Sequence, residues 1–150
     1  MLAGLTAAIC TTAVATPASA AVTKCTRTSC PYVGQNPETT GCSAGAYAVA
    51  NTHVIQPSDR VWIGAVNLMY SPGCNTNWTE ADSYAQPVDI VVWNTANQLK
   101  SKDNLANYGG YGFTPMVNGS YDAGACIQSD RFITCVGQPA VTAHPPFGSF

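Results

Sequence analysis

A chain of 150 residues sets a prior of one domain, and its net charge of -2 comes with only 9% charged residues, against about 25% in an average soluble domain. The six cations (Lys24, Arg27, Arg60, Lys100, Lys102 and Arg131) are scattered and form no basic patch, which argues against electrostatic capture of nucleic acid. With 10 Pro and 13 Gly among so few charges, the composition points to an extracellular, turn-rich β protein.

Residues 1–20 read as a secretory signal. Leu2 to Val14 is apolar and small, and Thr16-Pro17-Ala18-Ser19-Ala20 offers a small-x-small cleavage site, although no Lys or Arg precedes the apolar run. Cys10 would leave with this segment. No later apolar stretch approaches the ~20 residues needed to span a bilayer, so no membrane span is expected after cleavage.

Six cysteines then remain in an exported chain: Cys25, Cys30, Cys42, Cys74, Cys126 and Cys135. An even count in that setting reads as a disulfide framework. Cys126 and Cys135 flank Asp130-Arg131 symmetrically, as the opposed positions of a hairpin would. Cys25 and Cys30 are close enough to close a small loop, which leaves Cys42 for Cys74 as the first-ranked of the 15 pairings that six cysteines allow and that sequence alone does not select among. Neither Cys-x4-Cys nor Cys-x8-Cys has a second pair or a nearby His, so no metal is expected.

Gly34 to Cys42 is a turn cluster, in which Asn36-Pro37 starts a turn and Gly41 is free to take positive φ. Asn36 and Glu38 offer either a ligand contact or plain turn hydrogen bonding, and the second is the simpler reading. Ala46 to Ile55 is the first expected strand, with Tyr47, Val49, Asn51, His53 and Ile55 on one face. Gln56 to Arg60 turns the chain. Val61 to Tyr70 is the second strand, with Gly64 marking a bulge that could bend the sheet toward closure. Ser71-Pro72-Gly73 ends it, and Cys74 to Tyr84 reads as a polar loop or short helical turn around Trp78.

Val88 to Trp93 is the third strand, apolar enough to be buried on both faces. The stretch 94–107 is polar and fits a loop or a weak helix. Tyr108 to Phe113 is a Gly/aromatic loop, and Asn118-Gly119 signals a hairpin turn. Cys126 to Cys135 forms a last hairpin, and 137–150 is a Pro-containing tail. The expected fold is all-β, a small disulfide-stapled barrel or sandwich with a C-terminal β-hairpin extension. Its domain runs over 21–136.

Cys25-x4-Cys30, Gly34-x-Asn36-Pro37, Gly41-Cys42, Leu68-x-Tyr70-Ser71-x-x-Cys74 and Trp78 together resemble the YjfA-like secreted domain of unknown function. That family occurs as small exported proteins of Gram-positive bacteria, especially actinobacteria. The resemblance covers about residues 25–93 and implies a bacterial extracellular β domain with no established activity, to which 108–136 is added as an extension. Two positions depart from the family pattern: Asn36 stands where Asp is usual, and Met69 where Arg is frequent. A charge is missing at both.

Catalytic constellations are thin. A nucleophilic triad would have to combine Ser71 and His53 with Asp59 or Asp89, and nothing like Gly-x-Ser-x-Gly surrounds Ser71. Glu80 with Asp82, or Asp89, are the only carboxylates to weigh for glycoside hydrolysis, and the first two sit where solvated charges are the default. No phosphate-binding glycine motif follows a strand, so no nucleotide cofactor is expected.

Aromatic residues are the better lead, because sugars and wall polymers are held on ring faces edged by amides. Trp62 and Trp93 fall in strands and read as core. Trp78, Tyr108 and Tyr111 read as surface, with Asn77 and the loop residues Asn75, Asn104, Asn107 and Asn118 beside them. The leading expectation is a secreted, non-catalytic binding or cell-surface module with a cell-wall glycan or another extracellular protein as partner. A small hydrolase built on Ser71, His53 and an Asp is one alternative. An extracellular inhibitor or toxin-like effector is the other.

Overall fold

The computed structural model describes residues 22–56, 58, 60–84, 87–105, 110–129 and 131–137. The expected signal segment, Asp59, Tyr108, Asn107 and the tail from 138 onward lie outside the described residues. Nine strands follow in chain order: β1 (Tyr47–Ile55), β2 (Trp62–Ser71), β3 (Thr76–Ser83), β4 (Val88–Asn94), β5 (Leu99–Leu105), β6 (Gly110–Phe113), β7 (Val117–Asn118), β8 (Ala123–Gln128) and β9 (Ile133–Gly137). They form two antiparallel sheets. The first has the order β1-β2-β3-β6, with the short β7 also pairing β3, and the second has the order β5-β4-β8-β9. Neither sheet closes on itself, so of the two expected architectures the sandwich holds and the barrel does not.

The core lies between the sheets, where alternate residues of each strand meet. Val54, Val66, Leu68 and Ala81 from the first sheet pack with Ile90, Val92, Ala125 and Ile127 from the second. Each Val, Leu or Ile so buried contributes about 1.5–3 kcal/mol. Thr79 is fully buried in the same layer, and its hydroxyl donates to the Val91 carbonyl of the facing sheet at 2.5 Å. Among the described residues no buried side-chain nitrogen or oxygen lacks a hydrogen-bond partner, as a core of this kind requires.

Four elements differ from their sequence expectation, one of them the expected Gly/aromatic loop, whose residues Gly110–Phe113 are β6. The polar stretch around Trp78 is β3, a central strand paired with β2 along its whole length and with β6 and β7 on its other edge. Its small polar residues are tolerated because their hydroxyls and amides find partners inside, as Thr79 does with Val91 and Asn77 does with the Met69 carbonyl. The stretch 99–105 is β5, an edge strand whose backbone is satisfied by β4 and whose polar composition suits an edge. Asn118-Gly119 makes no hairpin, because β7 and β8 lie in different sheets. Gly119 passes so close to Asn75 that a Cβ there would stand 2.8 Å from the Asn75 carbonyl carbon, so a side chain has no room.

The three disulfides pair as expected: Cys25 with Cys30, Cys42 with Cys74, and Cys126 with Cys135. Cys126 and Cys135 are direct cross-strand partners on β8 and β9. Three such bridges in so small a domain call for an oxidising, extracellular environment.

Candidate functional site

The outer face of the first sheet is divided in two. On β3 the outward residues are Thr76, Trp78, Glu80 and Asp82. The first two are buried and the last two half-buried. What covers the first half is the segment before β1. It runs as successive turns from Pro31 to Gly45 and is fixed by backbone bonds from Gly34 N to Met116 O and from Met116 N to Gln35 O. Asn36 starts it by accepting the Glu38 and Thr39 amides on its own side chain, so the turn reading of Asn36 holds.

Under this cover Trp78 packs with Met116 and the Cys42–Cys74 bridge. Tyr32, Ala46, Met69 and Phe113 close the rim. Trp78 is only 2% exposed, so the expectation of a surface indole is corrected. Asn77 is buried as well. Asn75 donates to the Cys25 carbonyl and Ser120, and Asn118 donates to the Thr26 carbonyl, so these amides hold the Cys25–Cys30 loop in place.

The other half of the same face is open. Trp62, expected in the core, is 50% exposed. The alternation set by Val66 and Leu68 would turn Trp62 inward. The register changes between the Val54–Gly64 pair and the Ile55–Trp62 pair, leaving Ile63 as an extra residue on β2. That bulge puts Ile63 into the core and Trp62 outside. Gly64, which marked the bulge in the sequence, stands beside it, and a Cβ there would collide with the Asp82 carbonyl oxygen at 2.2 Å.

His53 meets the Trp62 ring edge-on at a centroid distance of 5.6 Å, and Tyr84 tilts against it from the other side at 5.0 Å. His53, Ile55, Arg60 and Trp62 line a shallow, open cavity of about 380 Å³. Arg60 enters it from the β1–β2 turn with φ 59°, in the left-handed region that glycine or asparagine occupies at lower cost.

Across the strands from this cavity the pairs Ala65–Asp82 and Asp82–Tyr111 continue the outer face. Asp82 accepts the Ala65 amide at 2.7 Å and the Tyr84 hydroxyl, and Glu80 accepts the Tyr111 hydroxyl. The bond to Asp82 is the main reason the Tyr84 phenol is held above its ordinary pKa. For Tyr111, partial burial raises the pKa first, followed by the Glu80 hydrogen bond and the charges of Glu80 and Glu38. Tyr111 is 57% exposed, as the sequence led one to expect.

Of the residues weighed for a nucleophilic triad, Ser71, His53 and Asp89 are not brought together, and Asp59 lies outside the described residues. Glu80 and Asp82 do share the outer face of β3, with their oxygens taken up by Tyr111, Tyr84 and the Ala65 amide. Ser71 is buried at the covered end and its hydroxyl accepts the Cys74 amide. His53 pairs with Ala65, six residues back along β2, which is about 20 Å at the rise of a strand. Asp89 stands in the second sheet, opposite Gln128. Trp93 is buried as expected, its indole lying over Gly124, where any Cβ would fall 2.1 Å from the ring.

A family model described as a protein of unknown function (DUF2690) matches residues 30–126. The chain belongs to that family. The DUF2690 match takes in the covering turns, the whole first sheet, β4, β5 and part of β8, and the cysteines from Cys30 to Cys126, so the covered and the open half of the first sheet both fall within it. No curated protein and no solved structure matches the chain.

Proposed function

We propose that this protein is a secreted, non-catalytic binding module that holds a glycan on the open half of the first sheet. The exposed Trp62 ring carries the reading. It is braced by His53 and Tyr84 and opens onto a cavity, which is how a pre-formed aromatic platform presents one face to a sugar ring. Trp62 opens β2 and, beyond its contacts with His53 and Tyr84, leaves half of its surface exposed, which packing does not require. Binding sites are where such exceptions are found.

Export by the segment 1–20 fits the three disulfides, and the finer kinship with YjfA-like exported proteins of actinobacteria rests on the motif from Cys25 to Trp78. A cell-wall polymer is the partner this setting offers. The test is retention of the purified protein on insoluble cell wall and on a panel of polysaccharides. Wild type should be retained and Trp62→Ala released. Failure to bind any polymer would overturn the reading in favour of a protein partner.

A further inference from the structure

We infer that the Trp62 cavity selects an anionic sugar, one whose ring lies on the indole and whose carboxylate or phosphate meets Arg60. The inference rests on the glycan reading of this face and adds the charge class of the ligand.

Hydrogen-bond chemistry is the argument. Among the described side chains lining the cavity, Arg60 is a donor only, the Trp62 indole is a donor only, Ile55 is apolar, and His53 is the single one able to accept. Neutral sugars present hydroxyls that both donate and accept, and sites for them supply carboxylate or amide oxygens. Such oxygens do exist nearby, on Asp82 and Glu80. They are engaged by Tyr84, the Ala65 amide and Tyr111. The described side chains of the cavity therefore offer mostly donors, which suits a ligand that brings the acceptors.

A guanidinium meets a carboxylate or a phosphate in a planar, two-point geometry, which sets direction as well as charge. The left-handed backbone at Arg60 agrees with this. A costly conformation at a residue that lines a binding cavity points to a functional placement of its side chain. The anion is confined to the Arg60 side, because the carboxylates of Glu80 and Asp82 lie along the face in the other direction and would repel it.

The experiment is affinity electrophoresis of the full chain in gels containing polygalacturonate, fully methyl-esterified polygalacturonate, a phosphomannan or dextran. The first pair shares one backbone and differs in charge, and the third separates phosphate from carboxylate. Wild type is expected to bind at least one anionic polymer about tenfold or more tightly than the esterified and neutral ones. Arg60→Gln should remove that preference while leaving the weak binding to the esterified polymer. Trp62→Ala should remove both.

Equal binding to charged and esterified polymer, unchanged in Arg60→Gln but lost in Trp62→Ala, would overturn the anionic preference and leave the glycan reading standing. Binding to anions that survives Trp62→Ala would mean charge adsorption away from the cavity and would overturn the inference. Absence of binding to all four, and to insoluble wall, would overturn both readings.

Discussion

Trp78 and Trp62 stand on the same face of the same sheet, on neighbouring strands, and have opposite environments. The Trp78 end is roofed by the turns from Pro31 to Gly45 and stapled by Cys42–Cys74, so its indole is core. The Trp62 end has no such roof among the described residues, and its indole faces a cavity. One face of a sheet thus carries both a second core and an exposed aromatic surface. The roof decides where one ends and the other begins.

That division can be broken at its strongest point first. Trp78→Ala leaves a large void under the roof and should cost about 3–5 kcal/mol in chemical denaturation with the disulfides intact. A loss below ~1 kcal/mol would mean that the roofed end is no second core. Replacing Cys42 and Cys74 together by Ser releases the roof from the β2–β3 turn and should cost about 3–4 kcal/mol by the loop-entropy argument. If the two ends are separate in function, the folded fraction of that variant still binds through Trp62.

Trp62→Ala should change stability by about 1 kcal/mol or less, since only its ring contacts with His53 and Tyr84 are lost. A large unfolding penalty there would make Trp62 a packing residue and erase the contrast. The smallest effect belongs to Tyr111→Phe. Tyr111 has its folded pKa raised above the ordinary 10.0, so the unfolded chain loses this proton first. Its contribution is complete below about pH 10 and is lost as the pH rises above that. Melting curves between pH 9 and 11.5 should therefore fall less steeply for the phenylalanine variant than for wild type.

Local pattern made a good part of this readable. The β-branched run of β4 and the hairpin spacing of Cys126 and Cys135 depend on residues close in sequence and form as expected, and β1 forms as a strand although a register shift between Ala48 and Ala50 breaks its expected single face. By contrast β3 and β5 were hidden. Their threonines, asparagines and charges carry little strand signal, and they are strands because neighbours on both edges or one edge take up their hydrogen bonds.

The candidate site was legible only in part. His53, Asp82, Glu80 and Tyr111 drew attention as residue types, but Trp62 and Arg60 gave no local sign of being exposed together.

The sequence by itself determined the all-β class and the oxidising setting, because short-range pattern and composition are enough for these, and it ranked the cysteine pairings without selecting among them. Only the tertiary structure decided which tryptophan is presented to solvent. The inserted residue Ile63 reversed the facing of Trp62, and a disulfide spanning 32 positions drew a roof over Trp78. Both are non-local events: a register shift exists only against a partner strand, and a roof exists only once distant cysteines meet.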